Sequence, residues 1–230
     1  YKRQKQELTI LDMLQTNNFE RPMYYAITVS PDQFVNLDGY FEQTGLAYQV
    51  VPKNANKAVN TDKMYDNVMN KFKWGGVDKP GVYIDENVMR MCYTHRRVFA
   101  QLIEQLMKEG KKDKALAALD YAEKMIPAYN VPYDWQNGAV QMAEAYYQLG
   151  ETAKADEIMK ALADKAVEYL TWYLSLDDNR FMISTREFEY HWAVLDAEVK
   201  AMKKYNSKLA EIYEPKVEEL YNMYVDRMKE

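Results

Sequence analysis

Two stretches of this chain carry the same pattern of small and large apolar residues on both sides of a glycine, Gly110 in the first and Gly150 in the second. The matching positions before the glycines are occupied by Phe99, Leu102, Ile103 and Leu106, and by Ala139, Met142, Ala143 and Tyr146. The matching positions after them are occupied by Ala115, Leu119, Ala122 and Pro127, and by Ala155, Met159, Leu162 and Val167. Residues three and four apart share one face of a helix, so each stretch is predicted to form two helices joined by a turn at the glycine.

This spacing resembles that of the tetratricopeptide repeat, in which helix pairs stack side by side. One repeat is placed at about 96–127 and the other at about 136–167. Glycine suits the turn because it adopts a left-handed helix cap without a steric penalty. The turn glycines are 40 residues apart instead of the usual 34 or so, since the loop 128–135 is inserted between them, and the repeats are therefore predicted to be irregular.

The first fifty residues mix helical and strand patterns. Helices are predicted at 4–16 and 32–44, and strands rich in aromatic and β-branched residues at 23–29 and 46–51. These elements predict a small α/β cap over residues 1–53.

The rest of the chain, residues 54–230, is predicted to be a helical repeat domain that begins with a polar linker at 54–60. Helices over 184–230 are expected to cap the repeats, because terminal repeats need a polar outer face. The fold class is therefore mostly α: a tetratricopeptide-like helical solenoid with a small N-terminal α/β cap.

Composition excludes several classes of protein and site. The 30 Lys and Arg residues against 35 Asp and Glu give a net charge of −5, whereas a nucleic-acid partner requires a basic face, so no nucleic acid is expected. No apolar run approaches the ~20 residues needed to span a bilayer. Cys92 is the only cysteine, which excludes an internal disulfide and a cysteine-only metal cluster. No metal and no other cofactor is expected.

The sequence predicts no catalytic residues in this chain. His95 and His191 are the only histidines, and neither has a second histidine four residues away, as a helical zinc site requires. Cys92 shares a helical face with His95, but nothing nearby orients the imidazole, so Cys92 is interpreted as a small core residue.

Two surfaces are candidates for binding. The first helix of each repeat is expected to line a concave groove suited to an extended peptide. Its candidate residues are Arg97, Glu104, Lys108, Asn137, Glu144, Tyr147 and Gln148. The alternative is that the terminal helices fill this groove. The second surface is the inserted loop, where Tyr129, Tyr133 and Trp135 are candidates for stacking on a glycan.

Four short stretches combine aromatic residues with glycine, proline or clustered charge. They are Arg21–Thr28 (RPMYYAIT), Gly45–Pro52 (GLAYQVVP), Met64–Asn67 with Lys71–Gly76 (MYDN and KFKWGG), and Met91–Arg97 (MCYTHRR). Together they resemble the C-terminal region of a bacterial family of multi-spanning membrane proteins. That family was long of unknown function and is grouped with glycosyltransferases related to the eukaryotic protein O-mannosyltransferases.

The resemblance implies an accessory role. In such transferases the catalytic acid lies in loops of the membrane-embedded N-terminal region, so no catalytic residue is carried over to these positions. The leading expectation is a non-catalytic accessory or protein-interaction domain of a membrane glycosyltransferase-like protein. A free-standing soluble repeat scaffold and a glycan-binding domain are the alternatives, and the oligomeric state is left open.

The resemblance also implies a location. The chain itself is expected to be soluble and tethered to the membrane in its parent protein, on the extracytoplasmic side. Lys2, Arg3 and Lys5 favour the cytoplasmic side instead, because positive charge beside a membrane span is usually retained there.

Overall fold

A computed structural model describes residues 5–53 and 58–229, so Lys2 and Arg3 lie outside the described residues. It divides the chain into two compact units, Tyr1–Gly75 and Gly76–Glu230. Helices predominate, and the described part contains a three-stranded antiparallel sheet near its N-terminus. The prediction of a mostly α fold with a small N-terminal α/β region is confirmed. In the described part, no helix is both long enough and apolar enough to cross a bilayer.

The first unit is built on a small sheet. Its elements are α1 (Lys5–Asn17), β1 (Tyr24–Ala26), β2 (Phe41–Gln43), β3 (Ala47–Val50) and α2 (Thr61–Asp66), which continues as a π-helical turn at Asn67–Lys71. The strand order is β1-β3-β2, so the last strand lies in the centre. Tyr25, Phe34, Phe41 and Val50 form its buried core. The predictions of α1 and of strands near 23–29 and 46–51 are confirmed, although both strands are shorter.

The predicted helix at 32–44 is wrong. The chain instead makes two short 3-10 turns, at Pro31–Gln33 and Asp38–Tyr40, and then enters β2. Val35 and Asn36 have positive φ angles of 56° and 62°, which an α-helix does not allow. This irregular path brings Phe34 within 4.9 Å of Phe41, ring centre to ring centre.

The first unit runs to Gly75. The backbone N–H of Gln43 donates to the Ala58 carbonyl at 2.9 Å, and the Asn60 N–H donates to the Gln43 carbonyl at the same distance. The Asn67 side chain donates to the Thr44 carbonyl at 2.7 Å. These bonds join the segment after the predicted linker to the sheet. Residues 54–57 of that linker lie outside the described residues.

The second unit consists of helical hairpins. Its helices are α3 (Glu86–Lys108), α4 (Lys112–Met125), α5 (Ala139–Gln148), α6 (Thr152–Leu174), α7 (Asp178–Ile183), α8 (Thr185–Lys204) and α9 (Leu209–Arg227). Three pairs of consecutive helices pack on one another: α3 on α4, α5 on α6, and α8 on α9. The first two pairs are the helices that the sequence predicts around Gly110 and Gly150.

The three hairpins turn in the same way. Gly110, Gly150 and Asn206 have φ angles of 71°, 83° and 56°. In each case the N–H of the next residue donates to a carbonyl five residues back, at 2.9 Å, which is the Schellman arrangement. The third turn uses asparagine, which tolerates the left-handed region better than other non-glycine residues. The C-terminal helices therefore repeat the geometry of the two hairpins before them.

A glycine also sets the approach of α3 and α5. Gly138, with a φ of 86°, precedes α5, and a Cβ at this position would lie 2.7 Å from the Cβ of Ala100. We expect Gly138→Ala to lower the free energy of unfolding by about 2–4 kcal/mol, through backbone strain and overpacking. Gly150→Ala is the control, since its Cβ would meet nothing within 4 Å, and we expect it to cost only about 1–2 kcal/mol.

Chemical denaturation of the two variants measures this difference. Equal losses in Gly138→Ala and Gly150→Ala would show that α3 and α5 do not approach as closely as described.

Candidate ligand-binding cleft

An open cleft of about 410 Å³ lies in the second unit. Its walls come from α6, from α8 and from the turn at 134–136 that ends the inserted loop. On α6, Leu162, Ala166, Tyr169 and Tyr173 face the cleft at helical spacing. On α8, Tyr190, Val194 and Glu198 do the same, four residues apart. Three segments distant in sequence thus form one concave surface.

Aromatic side chains form much of this surface. The His191 ring stacks on Tyr169 with ring centres 4.5 Å apart, and the edge of Tyr190 meets His191 at 5.2 Å. The Tyr190 hydroxyl accepts a hydrogen bond of 2.7 Å from the Gln136 side chain. These contacts fix the orientation of the rings along the cleft wall.

One ion pair lies at the cleft. The Lys165 Nζ is 3.8 Å from an Asp134 carboxylate oxygen. The other oxygen of Asp134 accepts the Gln136 N–H at 3.0 Å and the Asn137 side-chain amide at 2.7 Å. Burial, with the Lys165 charge, lowers the pKa of His191 below its usual value of 6.5. The imidazole is therefore neutral at pH 7 and acts as one more flat ring.

Glu198 lies at the floor of the cleft and is 1% exposed. Neither of its carboxyl oxygens has a hydrogen-bond partner among the described residues. Burial raises its pKa from 4.5 to about 8, so the neutral acid predominates at pH 7. Buried polar groups are nearly always hydrogen-bonded in proteins, which makes this carboxyl an exception that calls for a cause.

Sequence reasoning missed Glu198, although the repeat pattern carries a signal for it. The residues before Asn206 follow the same spacing as the residues before Gly110. Leu195, Glu198, Val199 and Met202 take the places of Phe99, Leu102, Ile103 and Leu106, respectively. Glu198 thus takes the position of Leu102 and Met142, and both of those are fully buried. A carboxyl at an apolar position of the pattern could have been recognised as functional.

The three loop aromatics that the sequence singles out do not share a surface. Trp135 lines the cleft. Tyr129 is exposed, and its hydroxyl donates to the Asp78 carbonyl at 2.6 Å. Tyr133 is buried, with its hydroxyl bonded to Glu123. Trp135 is therefore the residue of this set that a ligand in the cleft would meet.

The seven groove candidates fall into two groups. Arg97, Glu104 and Lys108 are exposed on α3, where the last two form an ion pair of 2.6 Å. Tyr147 instead stacks on Tyr205 at the end of α8, with ring centres 5.0 Å apart.

The rest of the second group makes similar contacts. Gln148 donates to the Tyr205 hydroxyl at 3.1 Å, and Glu144 pairs with Lys204 at 2.9 Å. Asn137 bonds to Asp134 beside the cleft. The end of α8 thus covers the α5 part of the expected groove.

Buried Arg96 fixes the inserted loop that leads into the cleft. Its guanidinium donates to the carbonyls of Ile126, Val131 and Pro132 at 2.7–2.9 Å. It also lies over the Tyr133 ring, 5.1 Å from the ring centre. Because these bonds tie the loop to α3, they position the turn at 134–136.

The thiol of Cys92, one helical turn before Arg96, is chemically unreactive. Cys92 is buried, and burial raises the pKa of its thiol, which disfavours the reactive thiolate. Within residues 5–53 and 58–229, no three His, Cys, Asp or Glu side chains are placed to share a metal ion.

Comparison with known proteins gives one match. Residues 2–70 match the family described as TMEM260-associated domain 2. The match covers less than a third of the chain and suggests a TMEM260-related family, which is a membrane-protein family. Neither the curated proteins nor the solved structures contain a significant match.

Proposed function

We propose that this chain is a non-catalytic accessory region of a membrane glycosyltransferase-like protein, and that its second unit binds a glycan in the cleft between α6 and α8. The match of residues 2–70 to a TMEM260-associated domain supports the membrane-protein parent. The four stretches that resemble a glycosyltransferase family support the transferase. The parent is tethered to the membrane, with this chain on its extracytoplasmic side.

The hairpins support a tetratricopeptide-like scaffold. Three helix pairs share one turn geometry, and two of them carry the apolar spacing of that repeat. Stacked hairpins give a rigid surface, which suits a binding domain because rigid walls lose little entropy when a ligand binds.

The observation that carries the proposal is the open aromatic cleft. Aromatic rings stack on the apolar faces of sugars, and the amide of Gln136 and the Lys165–Asp134 pair supply partners for hydroxyl groups at the same site. The volume lies within the range of about 300–1,000 Å³ that is typical of small-molecule sites. A peptide in the predicted groove is less well supported, since Tyr147 and Gln148 already contact Tyr205.

A glycan array tests this proposal. The purified wild-type chain is expected to retain a restricted set of glycans, and Trp135→Ala to lose at least about tenfold in affinity for them, which corresponds to ~1.4 kcal/mol. Trp74→Ala is the matched control, because Trp74 belongs to the first unit and is not among the residues that line the cleft.

Two results would contradict the proposal. One is an array on which the wild-type chain binds nothing. The other is a set of ligands that Trp135→Ala retains at full affinity, which would place the binding surface outside the cleft.

A further inference from the structure

The Glu198 carboxyl is an uncompensated polar group in a site that is otherwise complete. Its side chain is 1% exposed, lines the cleft, and has no hydrogen-bond partner for either oxygen among the described residues. Placing such a group in the core costs stability, and leucine or methionine occupies the same position in the other two hairpins. This loss of stability indicates that the Glu198 carboxyl has a partner that the chain itself does not supply.

The charges around Glu198 leave room for a cation. Lys165 is engaged with Asp134, and the pKa of His191 is lowered, so the imidazole adds no positive charge. On α9, the Tyr213 hydroxyl faces the same region and donates to Asp164 at 2.5 Å. The titratable groups at the cleft are Asp134, Lys165, Tyr169, Tyr173, Tyr190, His191 and Glu198. With Glu198 ionised, this set carries one more negative than positive charge.

We infer that the glycan bound in the cleft carries a free amino group, and that the Glu198 carboxylate pairs with this ammonium at the cleft floor. The inference rests on the proposed function and names the class of sugar. An ammonium supplies what the site lacks, because it donates hydrogen bonds to both carboxylate oxygens and neutralises their charge. Trp135 and Tyr173 also line the cleft, and aromatic rings attract cations.

A neutral sugar would leave Glu198 in a different protonation state from an amino sugar. A hydroxyl group in place of the ammonium would accept a hydrogen bond from the protonated acid and leave Glu198 uncharged. An amino sugar instead stabilises the ionised carboxylate, so binding releases a proton from Glu198 near neutral pH. The two cases differ in how they respond to a glutamine at this position, since glutamine donates a hydrogen bond but cannot carry negative charge.

Three monosaccharides separate these cases by calorimetric titration at about pH 6.5, where a sugar amine is largely protonated. The probes are glucosamine, N-acetylglucosamine and glucose, which differ only in the group on one carbon. We expect the wild-type chain to bind glucosamine at least tenfold more tightly than the other two, and Glu198→Gln to lose this preference. Glu187→Gln is the control for general electrostatics: Glu187 is exposed on α8 and does not line the cleft, but its charge acts on His191, and its removal should keep the preference.

The outcomes distinguish this inference from the proposed function. If the array yields glycans but glucosamine binds no better than glucose, or if its advantage survives in Glu198→Gln, the inference is wrong and the glycan-binding proposal stands. If neither the array nor the titrations give binding, both are wrong. Loss of the preference in Glu187→Gln as well would reduce the effect to general electrostatics and overturn the pairing with Glu198.

Discussion

Replacing Arg96 with methionine is expected to lower the free energy of unfolding by about 3–5 kcal/mol. The guanidinium donates hydrogen bonds to three carbonyls of the inserted loop, and methionine donates none. These carbonyls would remain without partners in a buried region, and each such group costs about 1–3 kcal/mol. Burial raises the pKa of Glu123 and the Arg96 charge lowers it, so removing Arg96 makes that carboxylate still harder to ionise.

Chemical denaturation measures the loss, with Arg97→Met as the control. Arg97 is the adjacent residue but is exposed, so we expect a change within about 0.5 kcal/mol. Arg96→Lys should recover only part of the loss, because an ammonium lacks the planar fork that reaches several carbonyls at once. Equal stabilities of Arg96→Met and Arg97→Met would contradict the role given to Arg96.

Replacing Glu198 with leucine is expected to stabilise the protein, by about 4 kcal/mol near pH 7.5. In the wild-type chain the pKa of Glu198 is about 8 in the folded state, against a usual value of 4.5. Between these values the folded state keeps the proton and the unfolded state loses it. The unfolded state then binds fewer protons, so wild-type stability falls as the pH rises from about 4.5 to 8.

Denaturation curves at several pH values test this expectation. Glu198→Leu should make the fall between about pH 5 and 8 shallower, leaving the contributions of Glu123 and His191 to the pH dependence, whereas Glu187→Gln, at an exposed position of the same helix, should keep the larger fall. The same pH dependence in the wild-type chain and in Glu198→Leu would show that Glu198 is ionised and solvated in the folded state. The stability gained with leucine would be accompanied by a loss of ligand binding, because binding sites commonly lower the stability of the protein that carries them.

The sequence located most helices because their signals are local. The apolar spacing around Gly110 and Gly150 predicted two hairpins that the structure contains, since helix faces and glycine turns depend on a few neighbouring residues. The helix at 32–44 failed because Phe34 and Phe41 both join the sheet core, and the chain bends through positive φ angles to bring them there. Tertiary packing overrides a weak helical pattern in such a segment.

The cleft was harder to predict because it is assembled from distant segments. Trp135 was singled out from its loop, but its partners on α6 and α8 became neighbours only in the folded hairpins. The third hairpin was not recognised as equivalent, since Asn206 stands where the others have glycine. With that turn unaligned, Glu198 was not matched to the apolar positions of Leu102 and Met142.

The most direct test of the account is the indole region of a nitrogen–proton NMR spectrum during a titration with a glycan that the array retains. The chain has four tryptophans, and each gives one indole signal. The account predicts a saturable shift of the Trp135 signal, while Trp74 of the first unit and Trp192, whose indole donates to the Val217 carbonyl at 3.0 Å, stay unchanged. A spectrum in which the Trp135 signal does not move, or moves no more than that of Trp74, would contradict the assignment of the cleft as the binding site.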